Sequence, residues 1–114
     1  MEKQLEMNEK RKQTLEKFKQ LLPDVYSAVH DGGNAPLRVD GALSSKVKRL
    51  MCLAIALGIG CTNCVLAQFD AARRAGATKE EFLETIMVVT AMRGNTGVAE
   101  SLRVIDLMEE LGML

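Results

Sequence analysis

The stretch from Leu50 to Phe69, LMCLAIALGIGCTNCVLAQF, carries no charge and holds all three cysteines of the chain, Cys52, Cys61 and Cys64. Its first part, Leu50 to Ile59, is purely apolar but well short of the roughly 20 residues a membrane-spanning helix needs, which predicts a buried core helix. The second part contains Gly60, Thr62, Asn63 and Gln68. At the junction lies Cys61-Thr62-Asn63-Cys64, a C-x-x-C pair reached through Gly58-Ile59-Gly60. The remaining residues must bury that run and orient the two sulfurs.

A chain of 114 residues can enclose one core, so the expectation is a single domain over residues 1–114. Aromatic residues are few (Phe18, Tyr26, Phe69, Phe82) and Ala, Leu, Met, Glu and Lys are plentiful, which favours helix over strand. The predicted class is all-α, with about six helices in an orthogonal array. Fifteen basic and fifteen acidic residues cancel, which argues against nucleic acid or an anionic membrane as partner. Three cysteines, two of them three apart, do not make a secreted disulfide framework. The opening MEKQLEMNEKRKQ lacks the apolar segment of a secretory signal, so a cytoplasmic location is expected.

Along the chain, residues 2 to 22 predict a helix with Leu15, Phe18 and Leu22 on a narrow apolar stripe, little to bury near its start beyond Leu5 and Met7, and hence a fraying or subunit-contacting beginning. Pro23 opens a short second helix with Val25, Tyr26 and Val29 inward, ending at Asp31-Gly32-Gly33. Asn34 to Gly41 reads as a loop. Ser44 predicts the cap of a third helix to about Leu57, although Lys46, Lys48 and Arg49 crowd its first turns, where the helix dipole favours acids. Gly58 and Gly60 break it. A fourth helix starts near Cys61 and ends at Gly76, with Ala71, Ala72 and Ala75 offering close approach to a neighbour. Thr78-Lys79-Glu80-Glu81 is a capping box for a fifth helix, whose core face is Phe82, Leu83, Ile86, Met87 and Val89. Glu80, Glu81 and Glu84 serve that helix start and solubility. Arg93-Gly94-Asn95-Thr96-Gly97 interrupts, and the last helix carries Val98, Leu102, Ile105, Leu107, Met108 and Leu111.

Two cysteines three apart at a helix start place their sulfurs on nearly one face, close enough to join. Free N–H groups and the positive dipole end favour a thiolate there. Such a dithiol attacks a peroxide or a disulfide, and the second sulfur resolves the product into a Cys61–Cys64 bond. Half a zinc site and two inert thiols are the alternatives; zinc needs two more ligands, and Cys52 and His30 are the only cysteine and histidine left.

The residues from Lys46 to Thr78, KVKRLMCLAIALGIGCTNCVLAQFDAARRAGAT, followed by Glu80-Glu81-Phe82 and Met92-Arg93-Gly94, resemble the core of the AhpD-like alkylhydroperoxidase and carboxymuconolactone decarboxylase family. The resemblance implies an all-helical fold assembling into trimers or hexamers, and either peroxide reduction by a cysteine pair or decarboxylation of a cyclic lactone acid. It also implies Cys61 and Cys64 as the catalytic pair. In the peroxidase branch a glutamate twelve residues before the first cysteine and a histidine four after the second relay protons to the thiols. Those positions are Arg49 and Gln68 here. Guanidinium stays protonated and a carboxamide does not titrate, so neither serves as a general base. Arg49 remains a candidate for stabilising a thiolate, and Gln68 for bonding a sulfur or substrate.

Lesser candidates complete the set. His30 sits at a helix tail, Arg93 before a helix in the turn that the resemblance assigns to pocket closure, and Cys52 in the core run; Tyr26 is core or pocket lining. The function expected is a Cys61–Cys64 thiol-disulfide oxidoreductase or peroxidase with no bound cofactor or metal, acting on a hydroperoxide or disulfide and recharged by a thiol reductant. A decarboxylase-like enzyme and a non-catalytic binding module on the same scaffold are the alternatives. Small size and amphipathic faces suggest a homo-oligomer built through the N-terminal helix and the alanine-rich faces.

Overall fold

The structure is a computed structural model and describes residues 3–114. Six α-helices follow one another: α1 (Gln4–Leu21), α2 (Pro23–Ser27), α3 (Ser45–Ile59), α4 (Thr62–Arg74), α5 (Lys79–Arg93) and α6 (Asn95–Glu110). A wide turn of π geometry, Ala28–Gly33, and a 3-10 turn, Ala35–Arg38, link α2 to α3. There is no strand among the described residues. The expected all-α architecture of about six helices is the observed one.

The core forms where α3, α4, α5 and α6 converge. Leu53, Ala56 and Leu57 of α3 meet Val65, Leu66, Phe69 and Ala72 of α4, Phe82 and Val89 of α5, and Val104, Leu107 and Met108 of α6. Phe69 and Phe82 stack with centroids 4.5 Å apart, joining α4 to α5. Each of the larger side chains, Val, Leu, Phe or Met, contributes about 1.5–3 kcal/mol by leaving water. The apolar run Leu50–Ile59 is core on one face only, with Leu53, Ala56 and Leu57 buried but Met51, Ile55 and Ile59 exposed, so the expected fully buried helix is corrected to one with an uncovered apolar face. No described helix is long and apolar enough to cross a membrane.

Several helix boundaries follow from single residues. Ser44 Oγ accepts the Val47 N–H at 3.1 Å and caps α3 as predicted. The Thr78 capping box is complete: Glu81 N–H to Thr78 Oγ1 at 3.2 Å and Thr78 N–H to Glu81 Oε1 at 2.9 Å. Gly60, at φ +74°, lets α3 end in a left-handed residue and turn at once into α4. Gly58 does not break α3; it lies inside it, because a lone helical glycine costs only about 1 kcal/mol. Gly97 likewise sits inside α6, so Gly94 alone separates α5 from α6. At Gly97 a Cβ would come within 3.0 Å of Val89 O and 3.1 Å of Thr90 Cα, so the two helices touch there through backbone.

Other expectations need correction. The start of α1 is not loose: the Glu110 carboxylate accepts the N–H groups of Gln4 and Leu5, both at 3.0 Å, and Arg103 binds Gln4 Oε1 and Met7 Sδ. A distant acid supplies the cap that the local sequence lacks. Val25 and Val29 are exposed rather than inward, and Tyr26 stacks on His30. On α5, Met87 is 65% exposed, and on α6 Val98 and Leu102 are exposed while Ser101 and Val104 are buried. Ala72 is fully buried in this chain's own core.

The crowd of cations opening α3 also finds its explanation in the fold. Lys46 pairs with Glu81 at 2.8 Å, Lys48 Nζ donates to the carbonyls of Pro36 and Val39 at 3.0 Å each, and Arg49 Nη1 donates to Gln68. Each positive charge meets an acceptor brought from elsewhere in the chain.

Candidate functional site

Gly60 and Cys61 both send their N–H groups to Ala56 O, at 3.0 and 3.1 Å, so the α3–α4 reversal is tight. Cys61 is the N-cap of α4: its backbone is extended (φ −92°, ψ 100°) and its Sγ accepts the Cys64 N–H at 3.2 Å. A sulfur thus stands where Ser, Thr, Asp or Asn usually caps a helix. Cys64, at the third residue of α4, is carried around to the same side. The two Sγ atoms lie 2.12 Å apart, at disulfide distance, with 5.2 Å between the Cα atoms. The sequence expectation of two sulfurs able to join is met in the oxidised form.

Beside this pair lies a cleft of about 620 Å³ between α1 and α4. Met7, Leu15 and Phe18 of α1 face Leu66, Ala67 and Cys64 of α4 across it, and Lys10, Arg11, Thr14, Asn63 and Gln68 add polar groups. Cys64 is exposed and lines the cleft, whereas Cys61 is half-buried and does not. The apolar stripe predicted on α1 therefore lines a wall beside the sulfurs instead of vanishing into the core.

The α1 wall is held against α4 by charge. Asp70, only 14% exposed in its side chain, receives Lys12 at 3.6 Å, Arg73 at 3.5 Å and Arg74 at 3.2 Å. Arg11 donates to Asn8 Oδ1 at 2.9 Å; burial pushes its pKa below the usual arginine value, with Asp70 opposing the shift. Its guanidinium nevertheless stays charged near neutral pH.

Arg49 and Gln68, predicted singly, are brought together. Arg49 Nη1 donates to Gln68 Oε1 at 3.2 Å, and Gln68 lines the cleft with Cys64. Arg49 and Gln68, the two positions the resemblance pointed to, are thus a directly bonded donor and acceptor. His30 is elsewhere: exposed, its Nδ1 2.8 Å from Asp31 Oδ1, on the turn after α2. Hydrogen bonds from His30 first and Ser27 second hold the Asp31 carboxyl below the usual carboxylate range. Arg93 ends α5 fully outside the cleft lining, and Cys52 is a free, partly buried thiol on α3. Among the described residues no group of three or more His, Cys, Asp or Glu could hold a metal ion.

Reasoning from sequence missed most of the α1 wall. Met7, Lys10, Arg11 and Thr14 join Leu15 and Phe18 at helical spacings, a signal visible in the chain but masked by the polar character of α1. Asn63, inside the C-x-x-C, was also passed over as a lining residue.

The fold and site together are an all-helical array with a cysteine pair at the start of an inner helix, beside a cleft walled by α1. The sequence pattern of the Carboxymuconolactone decarboxylase family matches residues 23–107, and the chain belongs to that family. Its backbone is similar to the apo crystal structure of a carboxymuconolactone decarboxylase family protein from Legionella pneumophila, with a TM-score of 0.85 and 25% identity over 94% of this chain and 95% of that one. Among curated proteins it is similar to "Uncharacterized protein 4 in cox locus" of Paracoccus denitrificans, 33% identical over 63% of this chain and 65% of that protein. An uncharacterized protein of Cupriavidus necator is 38% identical over 51% of each chain. The chain spans less than two thirds of the length of either curated relative.

Proposed function

We propose that this chain is one helical domain working as a thiol–disulfide redox protein of peroxidase type, in which Cys64 meets the oxidant and Cys61 closes the internal disulfide. The observation that carries the reading is the unequal placement of the sulfurs. Cys64 is exposed in the cleft, and Cys61 sits behind it as the α4 cap, accepting the Cys64 N–H.

In the oxidising half-cycle the Cys64 thiolate attacks one oxygen of a hydroperoxide and the O–O bond breaks. The alcohol leaves with a proton, and Cys64 becomes a sulfenic acid. Cys61 sulfur then attacks Cys64 Sγ, the S–O bond breaks and water departs; two electrons pass from the dithiol to the peroxide. In the reducing half-cycle a thiol of an external reductant attacks the exposed Cys64 sulfur. Cys61 departs, its developing negative charge favoured by the helix start, and a second reductant thiol then displaces the first, which leaves as the reductant's disulfide while Cys64 returns as a thiolate. Neither half-cycle uses a bound cofactor.

The Arg49–Gln68 pair bears on rate. It supplies positive charge and a hydrogen bond at the cleft wall but takes no proton, so peroxide turnover is expected to be slow. Stopped-flow hydroperoxide consumption by the wild type and by an Arg49→Glu, Gln68→His variant tests this. A gain of about a hundredfold or more, the scale of a general base, supports the reading. Thiols that resist a small alkylating reagent in the reduced native protein would sink it in favour of a binding module.

Self-association belongs to the same proposal. Met51, Ile55 and Ile59 on α3, with Met87, Val88 and Met92 on α5, are exposed large apolar side chains, Met92 at 84%. Apolar surface spread over neighbouring helices favours burial against a second copy. This site differs from the N-terminal helix and alanine faces expected from sequence. Light scattering should give a mass above that of one chain, and Ile55→Asp with Met92→Asp should lower it; a monomeric wild type would refute the assembly.

A further inference from the structure

A carboxylate the proposed mechanism has not used sits against the α3–α4 reversal. Glu100 projects from α6 so that its Oε1 lies 3.4 Å, its carboxyl carbon 3.6 Å and its Oε2 3.9 Å from where a Cβ on Gly60 would stand. Gly60 is the residue before Cys61. Glu100 is half-buried and makes no hydrogen bond or ion pair with any described residue. A partly desolvated acid without a partner is costly, and here it is aimed at the turn that carries a cysteine pair without a base. The absence of a side chain at Gly60 leaves the carboxylate room to approach.

We propose that Glu100 is the proton acceptor of Cys61, coupling a carboxylate on α6 to the thiol that caps α4. The inference rests on the redox reading of the pair. When Cys61 attacks Cys64, whether Cys64 is a sulfenic acid or a mixed disulfide, the Cys61 S–H bond breaks and its proton passes to Glu100. The S–S bond forms; from a mixed disulfide the partner thiolate leaves and Glu100 keeps the proton, whereas from a sulfenic acid the departing hydroxide takes the proton from Glu100 and leaves as water. In the reducing direction the proton returns from Glu100 to the departing Cys61 sulfur. Neither Arg49 nor Gln68 has the chemistry for this.

Glu100 comes from α6, and Arg49 on α3 is engaged by Gln68. Arg103, three residues on along α6, is engaged by Gln4 and Met7. Lys10 and Arg11 of α1 line the cleft on the Cys64 side. On α5, Arg93 approaches α6 with its Cβ 3.3 Å from the Gly97 Cβ position, and Glu81 is held by Lys46 near the opposite end of α3. Glu100 is thus the acid placed at the Cys61 end.

The test uses two readings of the full chain. First, in a Cys64→Ser background, the pH dependence of Cys61 alkylation by iodoacetamide is followed by mass spectrometry, which separates Cys61 from Cys52. Adding Glu100→Gln should move the midpoint to lower pH by about half a unit or more, because a neighbouring negative charge opposes the thiolate. Glu100→Asp should restore most of the wild-type behaviour. Second, with both cysteines present, a small aromatic disulfide is added at pH 5.5 and release of its second aromatic thiolate times the closure of Cys61 onto Cys64. Glu100→Gln should slow closure about tenfold although the thiolate fraction rises, a combination only a lost proton acceptor produces. An unmoved midpoint overturns the proposal, as does a midpoint that falls while closure quickens. Failure of the redox reading would look different: hydroperoxide would go unconsumed by a protein whose Cys61 midpoint still responds to Glu100.

Discussion

The starts of α4 and α5 share one local design and differ in one kind of atom. In each, the cap side chain accepts the N–H three residues on, at 3.2 Å in both: Cys64 N–H to Cys61 Sγ, and Glu81 N–H to Thr78 Oγ1. At α5 the cap is an oxygen, closed reciprocally by Glu81 and buttressed by Lys46. At α4 the cap is a sulfur that bonds to the next sulfur and stands beside a cleft. The same geometry that merely begins a helix at Thr78 holds an atom able to change oxidation state at Cys61. Helix-start physics is therefore general, and the chemistry comes from the element placed in the cap and from what lies beside it.

The largest effect should come from exchanging the atom at α4. Cys61→Ser keeps an oxygen cap, so its stability against the reduced wild type should stay within about 1 kcal/mol in urea titration. Hydroperoxide or disulfide turnover should nevertheless fall to background; retained turnover would break the comparison. Moving the pair instead tests the surroundings. A Thr78→Cys, Glu81→Cys variant in a Cys61→Ser, Cys64→Ser background should form an internal disulfide by mass spectrometry yet consume no hydroperoxide, since the α1–α4 cleft is not lined by residues of the α5 start.

Smaller effects fall on stability alone. Gly97→Ala should cost about 1–3 kcal/mol, because its methyl group meets the backbone of α5 and the helices must part. Thr78→Ala should cost about 1 kcal/mol, seen as a lower urea midpoint, with turnover per folded molecule unchanged. The smallest concerns pH. The Lys46 hydrogen bond first, and the Thr78 N–H second, hold the Glu81 carboxyl below the usual carboxylate range. Folding thus favours its ionised form, so this contribution is present above the unfolded-state value and lost as pH falls through the depressed one. Melting temperature should drop over that acid interval, and Glu81→Gln should flatten that part of the profile; an identical profile would remove Glu81 from the account.

Much of this was legible in the chain because it is local. A C-x-x-C after a glycine break, Ser44 before α3 and Thr78-x-x-Glu81 before α5 each encode their hydrogen bonds within a few residues. The family resemblance of residues 46–94 pointed to the same fold, and residues 23–107 match the family. The faces of α5 and α6 were less legible, since Met87, Val98 and Leu102 are apolar yet exposed. Periodicity marks an apolar residue without saying whether its own core or another surface will cover it.

The sequence by itself determined the helices, their caps and the cysteine spacing, because those depend on dihedral preferences and bonds spanning three or four residues. Only the tertiary structure decided the partners across long separations. It brought Glu110 to the start of α1, Gln68 to Arg49, Glu81 to Lys46 and Glu100 to the turn before Cys61. Burying a common core sets the order and angle of the helices, and a polar side chain meets its partner only once that packing is complete. The uncharged stretch from Leu50 to Phe69 therefore states where the sulfurs are, while the α1 wall beside Cys64 and the Glu100 carboxylate beside Gly60 are placed only by the packing of the helices.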